Sequence, residues 1–299
     1  MTLLLLAMGV WGLDVAYTLR GNPELQFFRK AWEIKRAQAR RLSGKPGGKV
    51  VLYGGSSSLF SINTGQLQSE NGIPAVNFAF GAGFGASILT QAAVQEVASG
   101  DTLAVALEPV LLTDSLEPPA MGIQFAVVTG NPSWFSHPTV GRESVGWIPA
   151  ALALRPGGYH VLTMLGKLGR SGPLYRYNIT NIQADGFART EVRVPVHEAA
   201  WHSGVLPKES GAFLESLRRW CESTGVRVYY VLPWSYCPQA DLVRFQQLNA
   251  RFLLQVIRYL PVLRDPRLGA DPEALHFGDS GFHMTAESSR IRTAELASA

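Results

Sequence analysis

Apolar residues follow two patterns along the chain: short continuous runs, and longer stretches at helical spacing. The short runs are rich in β-branched and aromatic residues, which is typical of buried strands. Strands are predicted at 49–53, 75–78, 102–107, 226–232 and 261–263. Helices are predicted at 21–43, 60–71, 86–99, 208–224, 239–259 and after Thr285. Strands that alternate with helices predict an α/β protein, a three-layer α/β/α structure with a mostly parallel sheet.

The first residues form a separate apolar segment. Residues 2–18 are apolar except for Thr2, Asp14 and Thr18, which predicts an N-terminal hydrophobic helix barely long enough to cross a bilayer. We interpret residues 1–19 as a membrane anchor or signal segment, with a packed core helix as the alternative. Basic residues follow this segment, and the positive-inside rule would then keep the next domain in the cytoplasm, so the orientation stays open.

The rest of the chain divides into a linker and one domain. Residues 20–48 carry many Lys and Arg residues and end in a Gly/Pro-rich stretch, which predicts a basic helical linker. Residues 49–296 are predicted to form the α/β domain. Between its third and fourth strands lies an insertion at about 110–207, rich in Pro, Gly and aromatic residues, of the kind that shapes substrate pockets.

Composition narrows the classes of partner. The net charge of the 299 residues is only +4, so no nucleic-acid partner is predicted. The early basic cluster is instead suited to solvent or to anionic lipid headgroups. The two cysteines, Cys221 and Cys237, are interpreted as structural, although a disulfide between them stays open.

Neither a cofactor nor a metal is predicted. The glycines at 81, 83 and 85 do not form the Gly-x-Gly-x-x-Gly pattern of dinucleotide sites. His197 and His202 are five residues apart, not the four that align two ligands on one helix face.

The candidate chemistry begins where the first strand ends. Gly54 and Gly55 are followed by Ser56, Ser57 and Ser58. Glycines at a strand end allow a tight turn and close backbone approach, and a serine just after it lies at the carboxyl edge of the sheet. Such a serine is exposed beside backbone N–H groups, as a nucleophile requires. The alternative is an ordinary turn whose serine caps a helix.

A second cluster near the end of the chain favours the nucleophile. Asp279 and His283 lie four residues apart in one loop, far from the serines in sequence. They supply the other members of a triad, in which His283 takes the serine proton and Asp279 orients the imidazole. His276 is the alternative base.

These two blocks carry a resemblance to a known superfamily. Gly54–Ser56 followed by Leu59–Phe60, together with the Asp-Ser-x-x-His block at 279–283, resembles the SGNH (GDSL-like) hydrolases. More narrowly, the chain looks like the membrane-anchored branch related to bacterial polysaccharide O-acetyltransferases. The resemblance covers roughly residues 49–296. It implies an SGNH-hydrolase-like fold and a Ser56–His283–Asp279 triad, with Ser57 as the alternative nucleophile.

The resemblance also implies an oxyanion hole made of backbone N–H groups. These come from Ser56 and from Ala79 or Gly81, since alanine stands where the superfamily's Asn-x-Gly block has glycine. The superfamily's Gly-x-Asn-Asp block is absent, and Glu108 stands near that position. Candidate substrate contacts are Ser57, Asn77 and Glu108.

The function predicted on this basis is acyl transfer. Water as acceptor gives an esterase, and a sugar hydroxyl gives an O-acetyltransferase acting on cell-envelope carbohydrate. The expected partners are a carbohydrate or acyl-ester substrate, the membrane and an envelope polysaccharide machinery. The domain is expected outside the cytoplasm, in the periplasm or at the cell surface. The alternatives are an inactive module that binds or scaffolds envelope polysaccharide, and a cytoplasmic esterase whose apolar N-terminus packs as a core helix.

Overall fold

A computed structural model describes most of the chain. The described residues are 1–141, 144–155, 165–166, 175–190, 193–194, 196 and 201–299. Part of the predicted insertion therefore lies outside them, including His197 of the histidine pair considered as a metal site.

A four-stranded parallel sheet forms the centre of the domain. The strands are β1 (Val50–Gly54), β2 (Ala75–Asn77), β3 (Thr102–Ala106) and β4 (Arg227–Tyr230), in the order β2-β1-β3-β4. Every pairing in this sheet is parallel, so the carboxyl ends of the four strands lie at one edge. The predicted α/β class with a mostly parallel sheet is confirmed.

The predicted fifth strand is shorter than expected. Val262 forms an isolated parallel bridge with Tyr230. A separate two-stranded parallel ladder pairs β5 (Ser235–Tyr236) with β6 (Ala270–Asp271). This ladder holds the segment that leads to the Asp279–His283 loop.

Helices follow most strands. They are α1 (Thr2–Ala16), α2 (Pro23–Arg41), α3 (Ser56–Ser61), α4 (Thr64–Asn71), α5 (Gly85–Val94), α6 (Pro109–Thr113), α7 (Ala120–Val128), α8 (Ser133–Ser136), α9 (Trp147–Ala153), α10 (Lys208–Thr224), α11 (Leu242–Val256) and α12 (Ser288–Ala297). Alternate strand residues enter different apolar clusters, because successive side chains of a strand point to opposite faces. Val51 and Leu103 join the larger cluster, whereas Leu52 and Ala104 join a smaller one. Cys221 and Cys237 are buried and free, without a disulfide between them.

The basic linker predicted at 20–48 is instead part of the core. Helix α2 is capped by the Asn22 side chain, which accepts hydrogen bonds from the N–H groups of Glu24 and Leu25. One face of α2 is buried because its apolar residues recur at helical spacing: Leu25, Phe27, Phe28, Ala31, Trp32 and Ala39. The basic residues that suggested a linker lie mainly on the opposite, solvated face. The prediction of a linker was therefore wrong, since net basicity does not show which face of a helix is apolar.

Lys35 connects α2 to the sheet. Its side chain is fully buried, and Nζ donates hydrogen bonds to the carbonyl oxygens of Asn77, 2.7 Å away, and Gly186. Burial lowers the pKa of Lys35 to about 7, opposed by the nearby Asp185 carboxylate. This contact fixes the end of β2 and part of the insertion against α2.

Helix α1 precedes the core. A π-helical turn at Tyr17–Gly21 joins it to α2, and apolar side chains such as Leu3, Leu6 and Leu13 are exposed along it. Among the described residues, none of the helices combines the length and the hydropathy that crossing a bilayer requires.

Candidate active site

A tight turn at the end of β1 presents the serine cluster. Gly55 precedes α3, and Ser56 is its first residue. A Cβ at Gly54 would lie 2.0 Å from the Ala106 carbonyl oxygen, and one at Gly55 would lie 2.3 Å from a Glu108 carboxylate oxygen. Both positions therefore require glycine, because β3 and Glu108 approach the turn too closely for a side chain.

Glu108, at the carboxyl end of β3, holds this turn. One carboxylate oxygen accepts the Gly55 N–H at 2.9 Å. The other accepts the Ser57 N–H at 2.9 Å and the Ser57 hydroxyl at 2.6 Å. The group is fully buried, and burial raises the pKa of Glu108 although the hydrogen bonds from Ser57 and Gly55 oppose the shift. Glu108 thus connects the ends of β1 and β3.

The three serines differ in burial and in the hydrogen bonds of their hydroxyls. Ser57 and Ser58 are buried, and the Ser58 hydroxyl donates to the Ala106 carbonyl at 2.8 Å. Ser56 is partly exposed, and its hydroxyl has no hydrogen-bond partner among the described residues. Ser56 is therefore the hydroxyl of this cluster that remains available for chemistry, which favours it over Ser57.

His283 and Asp279 form a hydrogen-bonded pair. His283 Nδ1 lies 2.8 Å from Asp279 Oδ1, and the Asp279 side chain is only 1% exposed. The imidazole packs on the ring of Phe60, with centroids 4.4 Å apart. Phe60 comes one helical turn after Ser56 and so lies on the same face of α3. His283 therefore packs on the face of α3 that begins at Ser56.

Two residues of the insertion complete the surroundings of Asp279. Arg176 Nη1 lies 2.9 Å from Asp279 Oδ2, and the Tyr177 hydroxyl donates to the same oxygen. The Tyr177 oxygen also lies 3.0 Å from His283 Nδ1. Burial alone would raise the pKa of Asp279, but hydrogen bonds from His283, Tyr177 and Arg176 outweigh it and hold the pKa well below its usual range. Asp279 is therefore an anion that can orient the imidazole.

Sequence reasoning missed Arg176 and gave Tyr177 no specific role. Tyr177 was one of several aromatics in the insertion, and no motif sets it apart from Tyr175. Only the folded chain brings residues 176–177 to the Asp279–His283 loop.

The alternative base, His276, belongs to a different pair. Its Nδ1 lies 2.7 Å from Asp271 Oδ2, and the Asp271 side chain is 1% exposed. His276 therefore has its own carboxylate and does not share Asp279. His202, one of the two histidines considered as metal ligands, has a partner of a different kind. Its Nε2 lies 2.8 Å from Asn249 Oδ1.

The two candidate oxyanion donors after β2 are not equivalent. Ala79 is buried, and its N–H donates to Asn77 Oδ1 at 3.1 Å. Gly81 is partly exposed, and its N–H has no partner within the described part of the chain. The Phe80 N–H donates to the Gly54 carbonyl at 3.0 Å, which holds this loop beside the serine turn. The available donors are thus Ser56 and Gly81, and Ala79 is already occupied.

The predicted substrate contacts have internal partners instead. Asn77 Nδ2 donates to the carbonyl oxygens of Ser58 at 2.9 Å and Ile62 at 2.8 Å, so this side chain holds α3 against β2. Ser57 and Glu108 bond to each other. All three side chains are buried. We correct the prediction accordingly: they position the turn and do not face a substrate.

The start of α2 forms one wall of the site. The Phe27 ring lies 5.3 Å from that of Tyr175 and 6.1 Å from that of Tyr177. Phe28 packs so closely that a Cβ at Gly81 would lie 3.1 Å from its ring. Helix α2, which the sequence predicted to be a linker, thus contacts both the segment with Tyr175 and Tyr177 and the loop at Gly81.

The same wall contains a pH-sensitive carboxyl. Burial raises the pKa of Glu24 to about 7. The folded state therefore binds the Glu24 proton more tightly than the unfolded state does. Because this proton is lost as the pH rises, the free energy of unfolding falls between pH 4.5 and about pH 8. We expect Glu24→Gln to remove this pH-dependent loss, which is on the order of 2 kcal/mol in the free energy of unfolding. Thermal unfolding across this pH range measures it.

The exposed Glu33, on the same helix, supplies the matched control. Glu33→Gln should keep the wild-type pH dependence of stability. Parallel stability curves for wild type and Glu24→Gln would contradict the raised pKa.

Comparison of the chain with protein-family models, with curated proteins and with solved structures found no match. The functional assignment therefore rests on the geometry of the site and on the sequence motifs.

Proposed function

We propose that this protein is a serine acyl-ester hydrolase or O-acetyltransferase with an SGNH-like, three-layer α/β/α fold, acting on cell-envelope carbohydrate. One observation carries the proposal. Ser56 begins α3 with a partly exposed hydroxyl that has no hydrogen-bond partner among the described residues. His283, held by the buried Asp279 side chain, packs on Phe60, one helical turn after Ser56. Nucleophilic catalysis by serine needs a nucleophile, a base and a group that orients the base.

The chemistry has two steps. The Ser56 hydroxyl oxygen attacks the ester carbonyl carbon while His283 Nε2 accepts the hydroxyl proton, and Asp279 accepts a hydrogen bond from Nδ1. The negative oxygen of the tetrahedral intermediate accepts hydrogen bonds from the N–H groups of Ser56 and Gly81. The bond to the leaving alcohol then breaks, and His283 returns the proton to that alcohol. Water or a sugar hydroxyl next attacks the acyl-serine with His283 again as base, which releases Ser56.

Attachment to the membrane is part of this proposal. The exposed apolar side chains of α1 support contact of the N-terminal segment with lipid. The resemblance of the two motif blocks to membrane-anchored O-acetyltransferases favours a domain outside the cytoplasm, close to an envelope polysaccharide machinery.

Covalent labelling tests the proposal. A fluorophosphonate should label the full chain, and it should label neither Ser56→Ala nor His283→Ala at a comparable rate. Ser69→Ala serves as the control, because Ser69 is an exposed serine of the next helix, α4. Absence of labelling in the wild type, with the domain folded, would overturn the proposal.

The occupied Ala79 N–H favours a second candidate function. It leaves two available donors, Ser56 and Gly81, where the resembled superfamily has a third contact. A weak or inactive site would suit a module that binds envelope polysaccharide. Glycan binding that survives Ser56→Ala, in a protein that fluorophosphonate does not label, would support this module over the enzyme.

We expect Tyr177→Phe to lower kcat about tenfold with little change in KM, because Asp279 and His283 lose one shared hydrogen-bond partner. Steady-state hydrolysis of p-nitrophenyl acetate measures this effect. Tyr175→Phe is the matched control, because Tyr175 packs against the same Phe27 ring and its hydroxyl has no hydrogen-bond partner among the described residues. Equal activity of the two variants would contradict a positioning role for the Tyr177 hydroxyl.

A further inference from the structure

A cleft of about 720 Å³ opens beside the start of α10. Its walls are the first turns of α10 and the segments at 114–118 and 140–141. This volume lies in the range of sites that hold small ligands. None of the residues assigned to the candidate active site lines it.

One wall of the cleft offers hydrogen-bond donors. Helix α10 follows Pro207 without a side-chain cap, so its first N–H groups have no partner within the helix. Ser210 lines the cleft in this first turn and is fully buried, and its hydroxyl has no hydrogen-bond partner among the residues that the structure describes. A buried hydroxyl without a partner is costly, which favours a ligand that completes it.

The other walls offer acceptors and apolar surface. Asp114, Glu117 and Glu209 are exposed carboxylates without an ion pair among the described residues. Arg219, the one cation among the described residues that line the cleft, already pairs with Glu215. Leu116 and Phe213 add apolar area.

This combination indicates the class of ligand. Donors and acceptors beside apolar surface suit a saccharide, which has hydroxyls around its rim and C–H groups on its ring faces. Among the described lining residues carboxylates outnumber cations, which favours a sugar that carries an ammonium group and disfavours a uronic acid.

The cleft is close to the candidate active site along the chain. Helix α6 (Pro109–Thr113) lies between Glu108, which holds the serine turn, and Asp114 at the cleft. A five-residue helix is about 8 Å long. A saccharide bound in the cleft therefore lies within a few sugar units of the turn.

We propose that the cleft lined by Asp114, Glu117, Glu209 and Ser210 binds a saccharide containing amino sugars. The proposed function gives this saccharide a role as the acyl acceptor, but binding itself does not depend on the triad.

Titration calorimetry on the full chain tests the proposal, with chitotetraose as the probe at a mildly acidic pH where its amines are protonated. We expect saturable binding that is at least about fivefold weaker in the Asp114→Asn/Glu117→Gln double variant, because two attractive charges are lost. Ser210→Ala should also bind more weakly. Glu33→Gln, which changes an exposed carboxylate on α2, should bind as the wild type does.

Three results would overturn the proposal: no saturable binding to the wild type, equal affinity in the double variant, or tighter binding of a uronic acid tetramer than of chitotetraose. Ser56→Ala should bind chitotetraose normally. Absence of fluorophosphonate labelling in the wild type would therefore count against the proposed enzyme alone, and absence of chitotetraose binding to the wild type against the cleft alone.

Discussion

Alanine at Ser56 or at His283 should reduce the hydrolysis of p-nitrophenyl acetate by about a thousandfold or more. The reason is that the nucleophile and its base act as one unit, and each is ineffective without the other. The double variant should therefore be no slower than either single variant. Initial rates of ester hydrolysis by purified full chain measure all three.

Ser57→Ala separates the two candidate nucleophiles. Its hydroxyl is bonded to Glu108, and the Ser57 N–H would still hold that carboxylate after the change. Most of the activity should therefore remain. Loss of turnover in Ser57→Ala but not in Ser56→Ala would contradict the assignment of Ser56. A wild type no faster than Ser56→Ala would contradict the esterase itself.

Glu108→Ala should destabilise the protein by about 3 kcal/mol or more, because it leaves buried donors of Gly55 and Ser57 without an acceptor. The turn that presents Ser56 depends on these bonds, so fluorophosphonate labelling should fall as well. Urea unfolding measures the first effect and the labelling rate the second.

Glu108→Gln distinguishes the loss of charge from the loss of contact. The amide keeps one oxygen for Ser57 but turns an NH2 group toward the Gly55 N–H, so an intermediate loss of stability is expected. Glu33→Ala, at an exposed position, is the control for removing a glutamate. Equal stability of Glu108→Ala and Glu33→Ala would contradict the anchoring role of Glu108.

Patterns in the sequence predicted the elements around the candidate site well. The apolar runs that precede Ser56 and Glu108 form the adjacent parallel strands β1 and β3. The Asp-Ser-x-x-His block predicted an acid–base pair, and the structure brings the side chains of Asp279 and His283 within 2.8 Å. These features are short-range, since strand, turn and loop each depend on a few neighbouring residues.

The same patterns misassigned other residues. Asn77 and Glu108 lie at strand ends, where sites gather, and were predicted to contact substrate, but they hold α3 and the serine turn. The position of a polar residue at a sheet edge does not show whether its side chain faces solvent or the interior. That depends on the packing of the neighbouring strand and helix.

The sequence by itself therefore determined the α/β class, the Gly-Gly-Ser turn and the pairing of Asp279 with His283, because each follows from local spacing. Tertiary structure decided that Ser56 is the available hydroxyl, that Glu108 anchors the turn from 51 residues away, and that Arg176 and Tyr177 join Asp279 across 103 and 102 residues. It also decided that α2 packs into the core. Such contacts depend on which faces of distant elements meet when the apolar core forms, and no local pattern records that choice.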